Sequence, residues 1–262
     1  MILPTMTPEE KVAQMQKLKP WLMAMVTDSL RRDSRWVRKA KTFPVMNVLP
    51  PIDITGMGRW TVIITVGSKG EARKGIASVM AYQKFQVSHG KPENIGTGIY
   101  VFDGNDAGEV FCNEYAPHYF NRFRKREIEA RRGIVQPDFD TLVRMVLRED
   151  FTGMDYTIRG LLIKENPDGT IDMQRDVEYD RQEGYTNYAC YMKHGIGYGL
   201  SAANRHYFHF TTFIGLADMK PDQLKVMQEA MAHRRESDFR QQQDPFYVEG
   251  VKREFLDKNV RI

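Results

Sequence analysis

The stretch APHYFNRFRKR, residues 116–126, spaces His118, Arg122 and Arg126 four residues apart. On a helix that spacing stacks the three side chains along one face. Histidine moves protons near neutral pH, and arginine stays charged and forks onto two phosphate oxygens. The trio therefore suits cleavage of a phosphodiester, with His118 catalytic and Arg122 and Arg126 holding phosphate, or plain gripping of an anion. The structural reading of the same residues is a solvated basic face paired with Glu127 or Glu129. Tyr119, Phe120 and Phe123, interleaved with them, are expected to anchor the helix in the core rather than to stack on bases.

A second row of chemistry-bearing residues lies in RHYFHFTTFI, residues 205–214. In a strand, successive side chains alternate between faces. His206, Phe208, Phe210, Thr212 and Ile214 form an apolar set expected to face the core. Arg205, Tyr207, His209 and Thr211 form a polar set on the other side. His209 and Thr211 are the catalytic candidates there, and Arg205 and Tyr207 the phosphate-binding ones. The glycines of KHGIGYG, residues 193–199, are expected in a hairpin loop; exposing amides to an anion is the weaker reading, because no helix follows. GMGRW, residues 56–60, is a fainter signal of the same kind. No HExxH, EF-hand, GxSxG or Walker lysine motif occurs. Acid–base chemistry without a metal or cofactor is the enzymatic reading that uses what is present.

The helix HYFNRFRKR followed by a late strand with His and Thr resembles the metal-independent ribonuclease toxin domains of the RelE, colicin D and EndoU type. The resemblance covers the H-x-x-x-R-x-x-x-R helix at His118, Arg122 and Arg126 and one strand. It implies attack of a ribose 2′-hydroxyl on the adjacent phosphorus, with a histidine as base and an arginine stabilising the charge that builds on phosphate.

The elements that must position these residues are legible from periodicity. Thr7, Pro8 and Glu10 form a helix start of the capping-box type. Val12, Met15, Leu18, Leu22 and Met25 follow at helical spacing, and Pro20 is expected to kink that helix. Residues 1–50 read as an N-terminal helical arm and connector, packing on the body or on a second copy, and 51–262 as a single domain with a polar C-terminal tail. From Arg59 to Glu114 three β-branched and aromatic runs punctuated by turns predict an antiparallel meander, and a helix follows from Pro117. PDFDTLVRMVLRED predicts a further helix, the Pro-Asp-Gly of residues 167–169 a hairpin, and KPDQLKVMQEAMAHRR a late helix. Strands in clusters rather than alternating with helices define an α+β fold with a mainly antiparallel sheet and packed helices.

The chain has 262 residues with 42% hydrophobic and 27% charged, the balance of a folded protein. The longest apolar run, Trp21–Val26, is too short to cross a bilayer, and a cytoplasmic location with no membrane partner is expected. Cys112 and Cys190 are expected as free, buried thiols. Net charge is only +4, but residues 121–132 carry six Lys/Arg against two Glu, which locates the anionic contact. The leading expectation is a soluble factor, of the kind associated with phages or mobile elements, that binds RNA or DNA through this basic helix. The alternatives are a metal-independent ribonuclease-like phosphodiesterase and an assembly protein that forms homo-oligomers through the N-terminal helix.

Overall fold

The structure, a computed structural model, describes residues 2–32, 35–88, 95–104, 109–129, 137–152, 156–159, 161–165, 171–175, 186–192, 195–203 and 206–221. In chain order the elements are α1 (Pro8–Arg32), α2 (Arg35–Lys39), β1 (Val45–Val48), β2 (Ile52–Ile54), β3 (Gly58–Val66), α3 (Lys69–Arg73), β4 (Ser78–Ser88), β5 (Ile95–Gly104) and β6 (Val110–Tyr115). Then follow α4 (Pro117–Phe123), a π-helical continuation (Arg124–Glu129), α5 (Phe139–Thr152), β7 (Tyr156–Arg159), β8 (Leu161–Glu165), β9 (Ile171–Arg175), β10 (Thr186–Met192), β11 (Gly195–Ala202) and β12 (Tyr207–Gly215). Helices with a mainly antiparallel sheet make this an α+β fold, as the sequence predicts. The chain divides into two units, one of residues 1–115 and 202–209, the other of 116–201 and 210–262. The late helix expected after Pro221 and the tail lie outside the described residues. Among the described residues, no helix is long and apolar enough to cross a membrane.

In the first unit, α1 starts on a reciprocal cap. The Glu10 amide donates to Thr7 Oγ1 (3.3 Å), and the Thr7 amide donates to Glu10 Oε2 (2.9 Å). The helix runs through Pro20 to Arg32 and buries Val12, Met15, Leu18, Leu22, Val26 and Leu30. Past Pro20 the buried positions step by four, so Val26 takes the place expected for Met25, which is only half-buried. This stripe is spent within the unit, against β4 and β6, while Trp21 stays 59% exposed. The sheet order is β1-β3-β4-β5-β6, with each neighbouring pair antiparallel. Seven consecutive residues of β3, Trp60–Val66, are buried, so both faces of this strand are covered and its burial does not alternate. GMGRW is the hairpin between β2 and β3, where Gly56 and Gly58 supply the positive φ of the turn.

The second unit holds α4, α5 and an antiparallel β7-β10-β11 set that continues to β12, with β8 and β9 as a separate two-stranded sheet. Asp138 starts α5 by accepting from the Thr141 amide (2.9 Å) and hydroxyl (2.5 Å), and these bonds hold its carboxyl below the ordinary range. Gly195, Gly197 and Gly199 are not in a loop. They lie inside β11, paired with Met192, Cys190 and Tyr188. A side chain at Gly195 would run into the Phe213 ring and the Ile214 carbonyl oxygen, so glycine here permits close approach of β12 rather than a turn.

β12 meets β6 in parallel. The Cys112 amide donates to the His206 carbonyl (2.8 Å) and the Ala116 amide to the Phe210 carbonyl (3.0 Å), a step of four residues on both strands. Parallel pairing needs a long crossover, and here the intervening chain supplies it. That register also decides which side chains of β12 reach Glu114.

Candidate functional site

The strongest cluster of ionisable groups is in the first unit, beneath α1. β6 alternates, turning Val110, Cys112 and Glu114 inward. Glu114 is cross-strand partner of Tyr100 on β5, and the parallel register brings Tyr207 and His209 of β12 to it from the other side. Glu114 Oε2 accepts from Lys11 Nζ (2.6 Å) and from the Tyr207 hydroxyl (2.7 Å), and Lys11 Nζ also donates to that hydroxyl at 3.4 Å. The Lys11 ammonium lies 5.1 Å from the Tyr100 ring centre and 5.2 Å from that of Tyr207, within cation–π range. Both charged side chains are at least nine-tenths buried. His209 Nε2 lies 3.8 Å from Glu114 Oε1, an ion-pair distance too long for a hydrogen bond, and its side chain is 30% exposed. Burial, reinforced by the Glu114 carboxylate, pushes the Tyr100 hydroxyl and the Cys112 thiol well above their ordinary values, which keeps both protonated.

Lys11 and Glu114 are the members that the sequence reading passed over. Lys11, Met15, Leu18 and Leu22 share one helical stripe, and Val110, Cys112 and Glu114 share one strand face. A lysine and a glutamate each embedded in an apolar period were the signal.

The residues singled out from the sequence have different surroundings within each unit. Tyr207 and His209 come together around Glu114, with Tyr207 only 3% exposed. Burial in β12 falls on Tyr207, Phe210, Phe213 and Gly215, and the spacing of three over the first three breaks the expected alternation. The expected core side is therefore reversed at its start, and half-exposed His206 and Phe208 instead lie against the Phe111 ring at 5.5 and 6.1 Å. In the second unit, Thr211 donates its hydroxyl to the Tyr198 carbonyl (3.2 Å). Arg205 lies outside the described residues.

His118, Arg122 and Arg126 are divided in role. α4 is held by Tyr119, Phe120 and Phe123, all buried. Tyr119 meets Phe210 and Phe213 edge-on at 6.0 and 5.9 Å, and Phe120 meets Phe139 at 5.0 Å. These aromatics are core anchors, and the opposite side carries exposed His118, Asn121, Arg122 and Lys125, spaced i, i+3, i+4, i+7. Arg122 Nε donates to His118 Nε2 (3.2 Å), so in this contact that nitrogen is the acceptor. Arg126 leaves the row: it donates to the Phe213 carbonyl (2.6 Å) and pairs with Asp218 (3.0 Å). The π-helical turn over Arg124–Glu129 is what takes Arg126 off the i+8 position of an ideal helix.

Cys112 and Cys190 are buried and not joined in a disulfide, as expected. Among the described residues, no group of three or more His, Cys, Asp or Glu is placed to hold a metal ion. No protein-family model, curated protein or solved structure matches the chain.

Breaking the buried pair on one side should be far worse than removing both charges. We expect Lys11→Met, which strands a buried carboxylate, to cost about 3–5 kcal/mol in chemical denaturation, and Lys11→Met with Glu114→Gln to recover most of it. Additive losses in the double variant would show that the two groups act independently. Proton linkage gives a second expectation. Burial holds the His209 imidazole below its ordinary value of 6.5; the Glu114 carboxylate pulls it up and the Lys11 ammonium pushes it further down. The unfolded chain therefore takes up the proton first. The stability involved is fully present above pH 6.5 and is lost as pH falls through the depressed folded value. His209→Gln should flatten that limb of a denaturation-midpoint profile, and superimposable profiles would remove His209 from the linkage.

Proposed function

We propose that the protein is a nucleic-acid-binding factor that engages phosphate through the solvent face of α4 and its π-helical continuation. The observation that supports this is the exposed stripe of His118, Asn121, Arg122 and Lys125 on a helix whose other side is locked by aromatic packing. All four side chains can donate hydrogen bonds, none is acidic, and a convex cationic helix suits a polymer backbone better than a small ligand. Arg126 contributes by fixing the turn through Phe213 and Asp218, and the phosphate contacts fall to Arg122 and Lys125.

Contacts of this kind release counterions, so binding should weaken linearly in log K against log salt, with a slope of about −0.9 per duplex phosphate engaged. Arg122→Glu with Lys125→Glu should lower affinity for labelled RNA and duplex DNA in fluorescence anisotropy and reduce that slope by about 2. Unchanged affinity and slope would reject α4 as the interface.

The His118–Arg122 contact favours a second reading, metal-independent ribonuclease action. The lone pair on His118 Nε2 is held beside a guanidinium that can transfer to a phosphate oxygen. The histidine would then take the proton of the 2′-hydroxyl as its oxygen bonds to phosphorus and the P–O5′ bond breaks, the departing 5′-oxygen taking up a proton while Arg122 faces the charge that develops on phosphate; His209 is the second acid–base candidate. RNA cleavage that persists in EDTA and disappears in His118→Ala and in His209→Ala is the expected result. Full cleavage by either variant would remove that residue from the reaction.

A further inference from the structure

The first unit contains a cleft of about 740 Å³ formed by the C-terminal half of α1, by α2, and by α3 with its C-terminal cap. Its floor includes Leu30 and Val37, which are 9% and 4% exposed. Its rim carries Arg31, Arg38, Lys69, Arg73 and Lys74, all exposed, and among the described residues no acidic side chain lines it. None of these five side chains forms an ion pair with a described residue.

Local structure accounts for this convergence. Ser68 caps α3 by accepting from the Glu71 amide (3.1 Å). Glu71, the acid of α3, is folded back to accept from the Gly67 amide (2.9 Å). At the other end the Gly75 amide donates to the Ala72 carbonyl (3.1 Å) and the Ile76 amide to the Glu71 carbonyl (2.9 Å), a Schellman closure with Gly75 at φ +74°. Both ends of α3 are thus fixed, and Lys69, Arg73 and Lys74 are presented from a braced turn. Five like charges around a concavity repel one another, and an anion placed among them relieves that repulsion while receiving charge-assisted bonds.

We propose that this cleft binds a small ligand carrying a chain of two or three phosphate groups. The volume lies within the range of small-molecule sites, roughly 300–1,000 Å³. An oligophosphate concentrates several charges at one point, as the cleft does, whereas a nucleic-acid strand spreads them along its length. Arg31, Arg38 and Arg73 provide planar forks for paired phosphate oxygens, and Lys69 and Lys74 provide point charges. Free polyphosphate and the phosphate tail of a nucleotide share this chemistry. The site is independent of the nucleic-acid reading of α4, which belongs to the other unit.

The test is isothermal titration and thermal melting of the full chain with sodium tripolyphosphate, a nucleoside triphosphate and the corresponding nucleoside. The two phosphate compounds should bind and raise the melting temperature, and the nucleoside should do neither. Tighter binding of the nucleoside triphosphate than of tripolyphosphate would assign the nucleotide as the source, and equal affinity would assign free polyphosphate. Arg31→Glu with Arg73→Glu should weaken tripolyphosphate binding by about tenfold or more, and Lys69→Gln with Lys74→Gln should weaken it less. These are exposed positions, so circular dichroism should be unchanged, and the milder pair carries the test if charge reversal impairs folding. Arg122→Glu with Lys125→Glu should leave tripolyphosphate binding intact whatever it does to nucleic acid. Absence of tripolyphosphate binding, binding undiminished in both cleft variants, or binding by nucleic-acid oligomers alone would each overturn the proposal.

Discussion

The first unit depends on a charge pair that cannot be left half-made. Taking an ammonium and a carboxylate out of water costs several kcal/mol per ion, and mutual attraction offsets this only with good geometry and additional hydrogen bonds. Lys11 and Glu114 have both: 2.6 Å between them, a tyrosine hydroxyl on the same carboxylate oxygen, and two aromatic faces near the ammonium. The apolar stripe of α1 tells the helix which side to bury but is tolerant of sliding, since one aliphatic contact substitutes for another. A buried ammonium tolerates no such shift. The pair therefore fixes where α1 lies along β6, and through Tyr207 it also fixes the first residues of β12, which return after more than ninety intervening positions.

The same accounting separates the protein's cations by what they do. Lys11 is consumed by folding, and Arg126 is consumed by the Phe213 carbonyl and Asp218. Arg122 and Lys125 face solvent from a helix braced on its other side, and the five cations of the α1–α2–α3 cleft face solvent and one another. Net charge, at +4, is blind to these differences. A cation with a structural partner gains little by exchanging it for phosphate, whereas an unpaired one surrounded by like charges gains a great deal.

What the sequence disclosed follows the range of the interactions concerned. The capping box at Thr7 and Glu10, the meander from β3 to β6 and the start of α4 at Pro117 are encoded within a few residues, and periodicity recovers them. The Lys11–Glu114 pair joins residues 103 positions apart. Each member could be noticed as a charge in an apolar period, but their meeting required the sheet order. RHYFHFTTFI misled because alternation presumes one covered face, whereas Tyr207 is buried against α1-side groups and Phe210 and Phe213 against Tyr119. KHGIGYG misled differently: glycine at every second position looks like a loop, but all three lie in β11 and Gly195 serves the close approach of β12. The cationic cleft escaped notice because its residues are drawn from three helices between residues 27 and 75 and form no run.

Two cationic surfaces with different curvature imply different modes of recognition. The α4 face is convex, its side chains standing about one turn apart, so under the proposed reading each would meet a separate phosphate on a strand that runs past it. The cleft is concave and its charges point toward a shared volume, so their fields add at one place. Superposition of this kind is wasted on an extended polymer, which offers one charge at a time, and is effective for a ligand that offers several together. Curvature, more than the number of cations, is therefore what separates the polymer proposed for one surface from the compact anion proposed for the other.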